Sequence, residues 1–198
     1  MDQQKRKSRR RGTELEDALL TAAWQQLQEE GYQKLTIEGI AAAAGTTKTV
    51  LYRRWPKKAL IVVAAFKKFG PKVDFSTPDT GDLRTDLLTL LSAPVAAFSS
   101  LGQETIRGLI SDQIGEAIDK LFMAANSKNI IRQSLDTILA NAAARGEINP
   151  DTITDRMKNL PTLLFINELL THGTLTKTAV TEMVDTLLMP LFQMNEKR

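Results

Sequence analysis

Residues 35–54, LTIEGIAAAAGTTKTVLYRR, carry the pattern that decides the fold of this chain. In the first half of this stretch, apolar and small residues recur at the spacing of one helical face: Ile37, Ile40, Ala41 and Ala44. Gly45 supplies a permissive backbone that ends this helix, and the hydroxyls of Thr46 and Thr47 are placed to cap a second one. Two short helices joined by a glycine-containing turn are typical of a helix–turn–helix motif.

The second helix of the motif, residues 48–54, has the composition of a helix that enters the major groove of DNA. Val50 and Leu51 are apolar enough to dock it on the rest of the domain. The remaining side chains are cations, a hydroxyl and a phenol, and we expect them to face outward: Lys48, Thr49, Tyr52, Arg53 and Arg54.

Residues 11–69 resemble the DNA-binding domain of TetR family transcriptional regulators. The resemblance lies in several motifs in the same order: Ala22-Ala23, Gly31-Tyr32, Leu35-Thr36, Ile40-Ala41, Ala44-Gly45, Leu51-Tyr52-Arg53-Arg54-Trp55 and Lys58-Ala59-Leu60. Two positions depart from the family pattern. Lys57 stands where a Ser or Asn more often caps the fourth helix, and Val50 where a Thr or Ile is common.

The resemblance implies an all-α protein of about nine helices, with an N-terminal helix–turn–helix domain and a C-terminal regulatory and dimerisation domain. The expected boundaries are 1–12 for a basic arm, 13–70 for the DNA-binding domain, 71–81 for a linker and 82–198 for the second domain. The residues expected to face bases are Thr47, Lys48, Thr49, Val50 and Arg53, next to Thr46 in the turn. Those expected to contact phosphates are Arg11, Thr36, Tyr52 and Lys58.

The charge of the chain is concentrated in its N-terminal third. Residues 1–70 contain 14 Lys+Arg against 7 Asp+Glu, whereas the remainder contains 12 against 16. A basic module followed by an acidic one indicates that only the first binds nucleic acid. Residues 1–12 contain six Lys or Arg and no apolar side chain after Met1, so they are too polar to form a core. We expect them to be an arm that contacts DNA, the alternative being a solvated tail.

Helix signals fill the rest of the chain. In the first domain, Thr13 and Glu16 have the spacing of a capping box for a helix over 13–30, and a fourth helix is expected over 57–69. In the second domain Pro94 interrupts the first helical segment, and Asp82 and Asp86 are expected in a solvated helical turn. The later helices are predicted over 103–111, 115–144, 151–171 and 177–192.

The last two predicted helices carry apolar residues on more than one face. A stripe wider than one face indicates burial both inside the protomer and against a partner. The resemblance implies a four-helix dimer interface, and the alternative is a fully internal helical hairpin. The candidate interface residues are Leu160, Leu163, Leu164, Val180, Met183, Val184, Leu187 and Leu191.

The resemblance further implies a small-molecule effector bound inside the second domain. Candidate pocket residues are Phe66, Phe98, Leu101, Phe122, Met123, Asn126, Phe165 and Glu168. The apolar ones are equally consistent with ordinary core packing. A lining of this composition favours an apolar or weakly polar effector.

Composition argues against several other classes of protein. The absence of cysteine excludes disulfides and thiolate sites, and His172 is the single histidine, placed in an expected turn. We find no phosphate loop, metal-ligand spacing or nucleophile–base pair, so no catalytic residue, metal or cofactor is predicted.

No apolar run is long enough to span a bilayer, and we expect a cytoplasmic protein. The resemblance to the TetR family implies a homodimeric repressor that binds a palindromic operator. The alternatives are an effector-independent regulator or architectural factor, and a ligand-binding protein whose DNA-binding part has decayed.

Overall fold

The computed structural model describes residues 12–74, 76–113 and 130–194, and every regular element in these ranges is helical. The predicted all-α fold is confirmed. The chain divides into two compact units, residues 1–70 and residues 71–198. In the described ranges no helix is long and apolar enough to cross a bilayer by itself. Only the pair Leu83–Leu101 and Gln103–Asp112, bent by 94°, has that length and composition when taken together.

The N-terminal unit consists of four helices around a small apolar core. They are α1 (Thr13–Lys34), α2 (Ile37–Ala43), α3 (Lys48–Arg54) and α4 (Lys58–Phe69). Helix α1 packs against α2 and α4. The buried side chains come from all four helices and include Leu19, Ala23, Tyr32, Ile40, Leu51 and Ile61.

Helix α1 begins and ends differently from the prediction. Its N-cap is Gly12 with φ 64°, and no side chain makes a capping hydrogen bond there, so the predicted capping box of Thr13 and Glu16 is wrong. Thr13 already lies inside the helix, one residue past the position from which a hydroxyl can cap. At the other end, Gly31 (φ 77°) breaks the helical backbone as predicted, but a further turn follows it as far as Lys34.

The C-terminal unit contains α5 (Leu83–Ser92), α6 (Val95–Leu101), α7 (Gln103–Gln113), α8 (Ile130–Ala144) and α9 (Asp155–His172). Pro94 separates α5 from α6 as predicted, because proline lacks the N–H that a continuous helix needs. The predicted helix over 115–144 lies within the described residues only from Ile130 onward. The core cluster of this unit draws its buried side chains mainly from α5, α8 and the C-terminal helical run, and α9 adds Phe165.

The chain ends in a helical run with a widened centre. It comprises α10 (Lys177–Glu182), a π-helical segment (Met183–Leu188) and α11 (Met189–Phe192). The Met189 N–H donates to the carbonyl of Val184, five residues earlier. Pro190 follows directly and cannot donate to the carbonyl four residues before it, so a wider turn at this point loses little hydrogen bonding.

Asp86 is buried, which corrects the prediction that Asp82 and Asp86 share a solvated helical turn. Its carboxylate accepts hydrogen bonds from the backbone N–H and hydroxyl of Thr80, at 2.7 and 2.8 Å, and from Arg145 at 3.4 Å. Asp82 is exposed and caps α5 by accepting from the Thr85 N–H at 2.8 Å. The two carboxylates differ because Asp86 lies one turn inside α5, on the side that packs against the unit.

Candidate nucleic-acid interface

The turn between α2 and α3 has the geometry that the glycine pattern predicts. Gly45 adopts φ 67°, in the left-handed region that other residues rarely enter. The Gly45 N–H donates to the Ala42 carbonyl at 3.0 Å, and the Thr46 N–H donates to the Ala41 carbonyl at 2.9 Å. Thr47 occupies the N-cap position of α3, but its side chain makes no capping hydrogen bond, so the predicted hydroxyl cap is absent.

Helix α3 is anchored by one apolar residue and presents its polar side chains outward. Leu51 is fully buried, whereas Val50 is only half-buried. Tyr52 is 46% exposed although it is a large aromatic residue. The other exposed residues on and beside α3 are Thr47, Lys48, Thr49 and Arg53. Residues 49, 52 and 53 share one helical face by their spacing, so a compact polar surface is formed.

Ion pairs hold both ends of α3. At its start, Lys48 Nζ lies 3.3 Å from Glu38 Oε1 of α2. At its end, Arg54 Nη1 lies 2.6 Å from Glu16 Oε2 of α1. Arg53 has no carboxylate within ion-pair distance among the described residues, so its guanidinium is the α3 cation most open to a phosphate or base.

Glu38 is ionised more readily than an ordinary glutamate. A hydrogen bond involving its own backbone, followed by the hydrogen bond from Lys48, lowers the pKa of the Glu38 carboxyl. Its exposed position leaves the pair with Lys48 in contact with solvent and ions.

The residues predicted to contact phosphates have unequal surroundings. Thr36 caps α2, where its hydroxyl accepts from the Gly39 N–H at 3.0 Å and keeps its own hydrogen for donation. Lys58 donates to the Tyr32 carbonyl at 3.0 Å, and its ammonium lies 4.2 Å from the centre of the Tyr32 ring. Lys58 therefore helps to join α4 to the end of α1, besides any contact with DNA. Arg11 lies outside the described residues.

Sequence reasoning missed both acidic partners of α3. Glu16 and Arg54 are 38 positions apart, and no spacing rule relates residues at that distance. Glu38 and Lys48 lie in the two helices of the motif, ten positions apart. The opposite charges on the facing helices of a helix–turn–helix were the one signal that could have suggested this second pair.

The candidate pocket residues are not all in one place: they lie in both units, and some lie outside the described residues. Phe66 belongs to the N-terminal unit, where the centre of its ring lies 6.2 Å from the centre of the Trp24 ring. In the C-terminal unit Phe165 is buried in the core, and Phe98 packs against that core. Leu101 and Glu168 are half-buried. The others, Phe122, Met123 and Asn126, lie outside the described residues.

The candidate interface residues divide into two sets. Val180, Met183 and Val184 are buried in the core of their own unit. Their side of the helical run packs inward on α5 and α9. Leu163 and Leu187 are 42% and 45% exposed despite being apolar. The remaining three, Leu160, Leu164 and Leu191, are half-buried.

Two family models cover most of the chain. Residues 19–65 match "Bacterial regulatory proteins, tetR family", and residues 77–187 match "Tetracyclin repressor-like, C-terminal domain". An uncharacterized HTH-type transcriptional regulator from Mycobacterium tuberculosis is 33% identical over 184 residues, which covers 88% of this chain and 86% of the relative. The DNA-binding transcriptional repressor TetR of Mycobacteroides abscessus is 28% identical, with coverage of 92% and 96%.

Solved structures agree with this assignment. The TetR family transcription regulator SCO0332 is similar with a TM-score of 0.54 at 26% identity, over 88% of this chain and 97% of that one. The fatty acid degradation regulator FadR from Bacillus halodurans shares the fold, with a TM-score of 0.52 at 17% identity over 96% of this chain and 100% of its own. The resemblance inferred from the helix–turn–helix residues is thus confirmed, and the chain belongs to the TetR family of helix–turn–helix transcriptional regulators.

Proposed function

We propose that the protein is a homodimeric repressor that reads a palindromic operator with α3 and leaves it when a small molecule binds the C-terminal unit. The observation that carries this proposal is the exposed polar surface of α3, with Leu51 as its buried anchor. A short helix that is docked by one apolar residue and presents hydroxyls and cations outward suits the major groove.

In this proposal the two copies of α3 enter successive major grooves, about 34 Å apart along one side of the duplex. Lys48, Thr49 and Arg53 face base edges, where lysine and arginine favour guanine acceptors. Val50 is half-buried and offers an apolar contact to a thymine methyl group. Thr36, Tyr52 and Lys58 position the protein on phosphates, and Arg11 extends this contact along the backbone. Thr46 and Thr47 border the same surface.

The proposed dimer interface uses apolar side chains that the unit leaves in solvent. Leu163 on α9 and Leu187 in the π-helical segment are both exposed, and the half-buried Leu160, Leu164 and Leu191 are candidates to extend their surface. The variant Leu163→Glu/Leu187→Glu should sediment as a monomer that keeps its helical circular dichroism spectrum, because neither side chain belongs to the buried core, while its melting temperature falls with the loss of the partner subunit. A dimer that survives both glutamates would place the interface elsewhere.

The proposal that a small-molecule effector releases the protein from DNA rests on the similarity to other TetR family regulators. The effector must bind one dimer geometry better than the other, or it cannot change DNA affinity. The apolar candidates Phe98, Leu101 and Phe165 favour an apolar or weakly polar compound. A regulator without an effector, or an architectural factor, is the competing proposal. A thermal-shift screen with apolar compounds separates the two, because a ligand of the folded state raises the melting temperature. We further propose that the protein acts in the cytoplasm and catalyses no reaction.

The decisive experiment compares DNA from upstream of the protein's own gene with random DNA over a salt series. A preference of about a thousandfold at two protomers per site would establish a specific dimeric regulator. Equal binding to both DNAs that is lost as the salt concentration rises would show only nonspecific electrostatic attraction. Absence of binding at low salt would refute the proposed function.

A further inference from the structure

The two ion pairs at the ends of α3 differ in exposure, and this difference suggests different roles. The Arg54–Glu16 pair has side chains that are 29% and 43% exposed, and its atoms lie 2.6 Å apart. The Lys48–Glu38 pair is longer, at 3.3 Å, and its side chains are 61% and 60% exposed. The first pair fixes α3 against α1, whereas the second is loose enough to exchange its partner.

We propose that Glu38 is a specificity-determining residue that occupies Lys48 in the free protein and so weakens its attraction to any phosphate backbone. This inference rests on the proposed reading of DNA by α3. A phosphate reached at random must replace Glu38 as the partner of Lys48, and the exchange of one anion for another gains little. A base edge carries no net charge and the Lys48 ammonium has three donors, so Lys48 can donate to the base while it stays paired with Glu38, and the specific site loses less affinity to this competition.

The surroundings of the pair support such a role. Lys48 is the first residue of α3 and is flanked by Thr47 and Thr49, both exposed on the surface assigned to DNA. Glu38 lies on α2, so its carboxylate reaches Lys48 from the other helix of the motif. Because both side chains are more than half exposed, breaking the pair should leave the fold almost unchanged. The pair is therefore better suited to tune binding than to hold the domain together.

The test is a double-mutant cycle on the full-length protein with Glu38→Gln, Lys48→Gln and both together. The first probe is a random-sequence 30-base-pair duplex. Glu38→Gln should bind it roughly threefold to tenfold more tightly, the range expected when an exposed ion pair no longer competes on each of two protomers. The slope of log affinity against log salt should steepen by about 0.9 for each Lys48 that gains a phosphate. In the Lys48→Gln background the same change at Glu38 should have a much smaller effect.

A second duplex, recovered by selection from a random library with the wild-type protein, measures specificity. Glu38→Gln should tighten this duplex less than random DNA, so the ratio of the two affinities falls. Glu29→Gln, which removes an exposed charge from α1, is the matched control and should not change that ratio.

Three results would overturn the inference: unchanged affinity of Glu38→Gln for random DNA, an equal gain with and without Lys48, or an equal gain on both duplexes. The second of these would mean that Glu38 repels phosphates directly. Failure of the proposed function shows differently, as a wild-type protein from which selection recovers no common sequence. The cycle on random DNA still decides the role of Glu38 in that event.

Discussion

Both units of the protein set cations against carboxylates of other elements, but the exposure of the carboxylates differs. Around α3, Glu38 and Glu16 are partly or largely in solvent. In the C-terminal unit, Arg145 contacts Asp86, whose side chain is fully buried, as well as Asp79 and Glu147. The ion pairs around α3 remain accessible to a binding partner, whereas Asp86 is paired inside its own unit.

The buried network joins segments that lie far apart in sequence. Arg145 follows α8, Asp86 lies in α5, and Asp79 and Thr80 precede α5. Glu147 contacts Arg145 and also accepts from the Leu83 N–H at 2.8 Å, at the start of α5. Hydrogen bonding to Glu147 raises the pKa of Arg145, so this guanidinium is charged under all working conditions. Within this network Asp86 is the fully buried carboxylate, whereas the Asp79 side chain is 65% exposed.

The largest effect should come from breaking the buried network. Arg145→Met leaves the buried Asp86 carboxylate without its cation, so we expect a larger loss in the free energy of unfolding than from any exposed ion pair. Urea denaturation followed by circular dichroism measures this loss.

Arg84→Met provides the matched control. Arg84 forms a two-point pair with Asp185, at 2.6 and 2.8 Å, but both side chains are substantially exposed. We expect a clearly smaller loss in the free energy of unfolding, as is typical of an exposed ion pair. Similar losses for the two variants would remove the distinction between buried and exposed carboxylates.

The second effect concerns DNA and separates the cations of the N-terminal unit. Lys48→Ala should weaken a selected duplex by about tenfold for each half-site and random DNA less, because a base contact is worth roughly 1–3 kcal/mol. Lys58→Ala should weaken both duplexes alike. The structure adds that Lys58→Ala also lowers stability, since the contact with the Tyr32 carbonyl is lost. Fluorescence anisotropy with both duplexes measures the affinities, and equal losses for Lys48→Ala on both would remove Lys48 from the base-reading set.

A smaller effect should follow from loosening the end of α3. Glu16→Gln removes the charge opposite Arg54 and should cost about 0.5–1 kcal/mol in stability, with a loss of affinity for the selected duplex of a few fold. The adjacent Asp17→Asn breaks a different pair, between α1 and Lys68 of α4. It should lower stability by a similar amount without changing the ratio of selected to random binding. Equal effects of the two variants on that ratio would show that Glu16 does not position α3.

In both units the sequence predicted local features better than contacts between distant segments, for a physical reason. The turn at Gly45, the buried Leu51 and the split at Pro94 follow from local rules of backbone and periodicity. The ion pair of Glu16 with Arg54 and the burial of Asp86 depend on contacts between distant segments, which no local spacing encodes.

The burial of the candidate interface residues was hard to predict for a related reason. Apolar periodicity identified Val184 and Leu187 as equivalent candidates, yet the structure buries the first and exposes the second. They lie three residues apart, and a widened helical turn changes which positions face inward. Sequence periodicity assumes a regular helix, so it could not separate them.

The smallest effect is a pH dependence at the exposed cap of α5, where the comparison with buried Asp86 is sharpest. Hydrogen bonds from the Thr85 hydroxyl and then from its N–H lower the pKa of Asp82. A carboxyl whose pKa is lower in the folded chain stabilises the fold fully above its unfolded pKa. This stabilisation disappears as the pH falls below about 4 and through the lowered value.

Thr85→Val removes the hydroxyl donor, so stability between neutral pH and pH 3, followed by urea denaturation, should fall less steeply than in the wild type. Thr85→Ser keeps the donor and should retain the wild-type slope, because the hydroxyl rather than the methyl group holds the Asp82 charge. A Thr85→Ser curve as shallow as that of Thr85→Val would assign the acid sensitivity to packing of the methyl group.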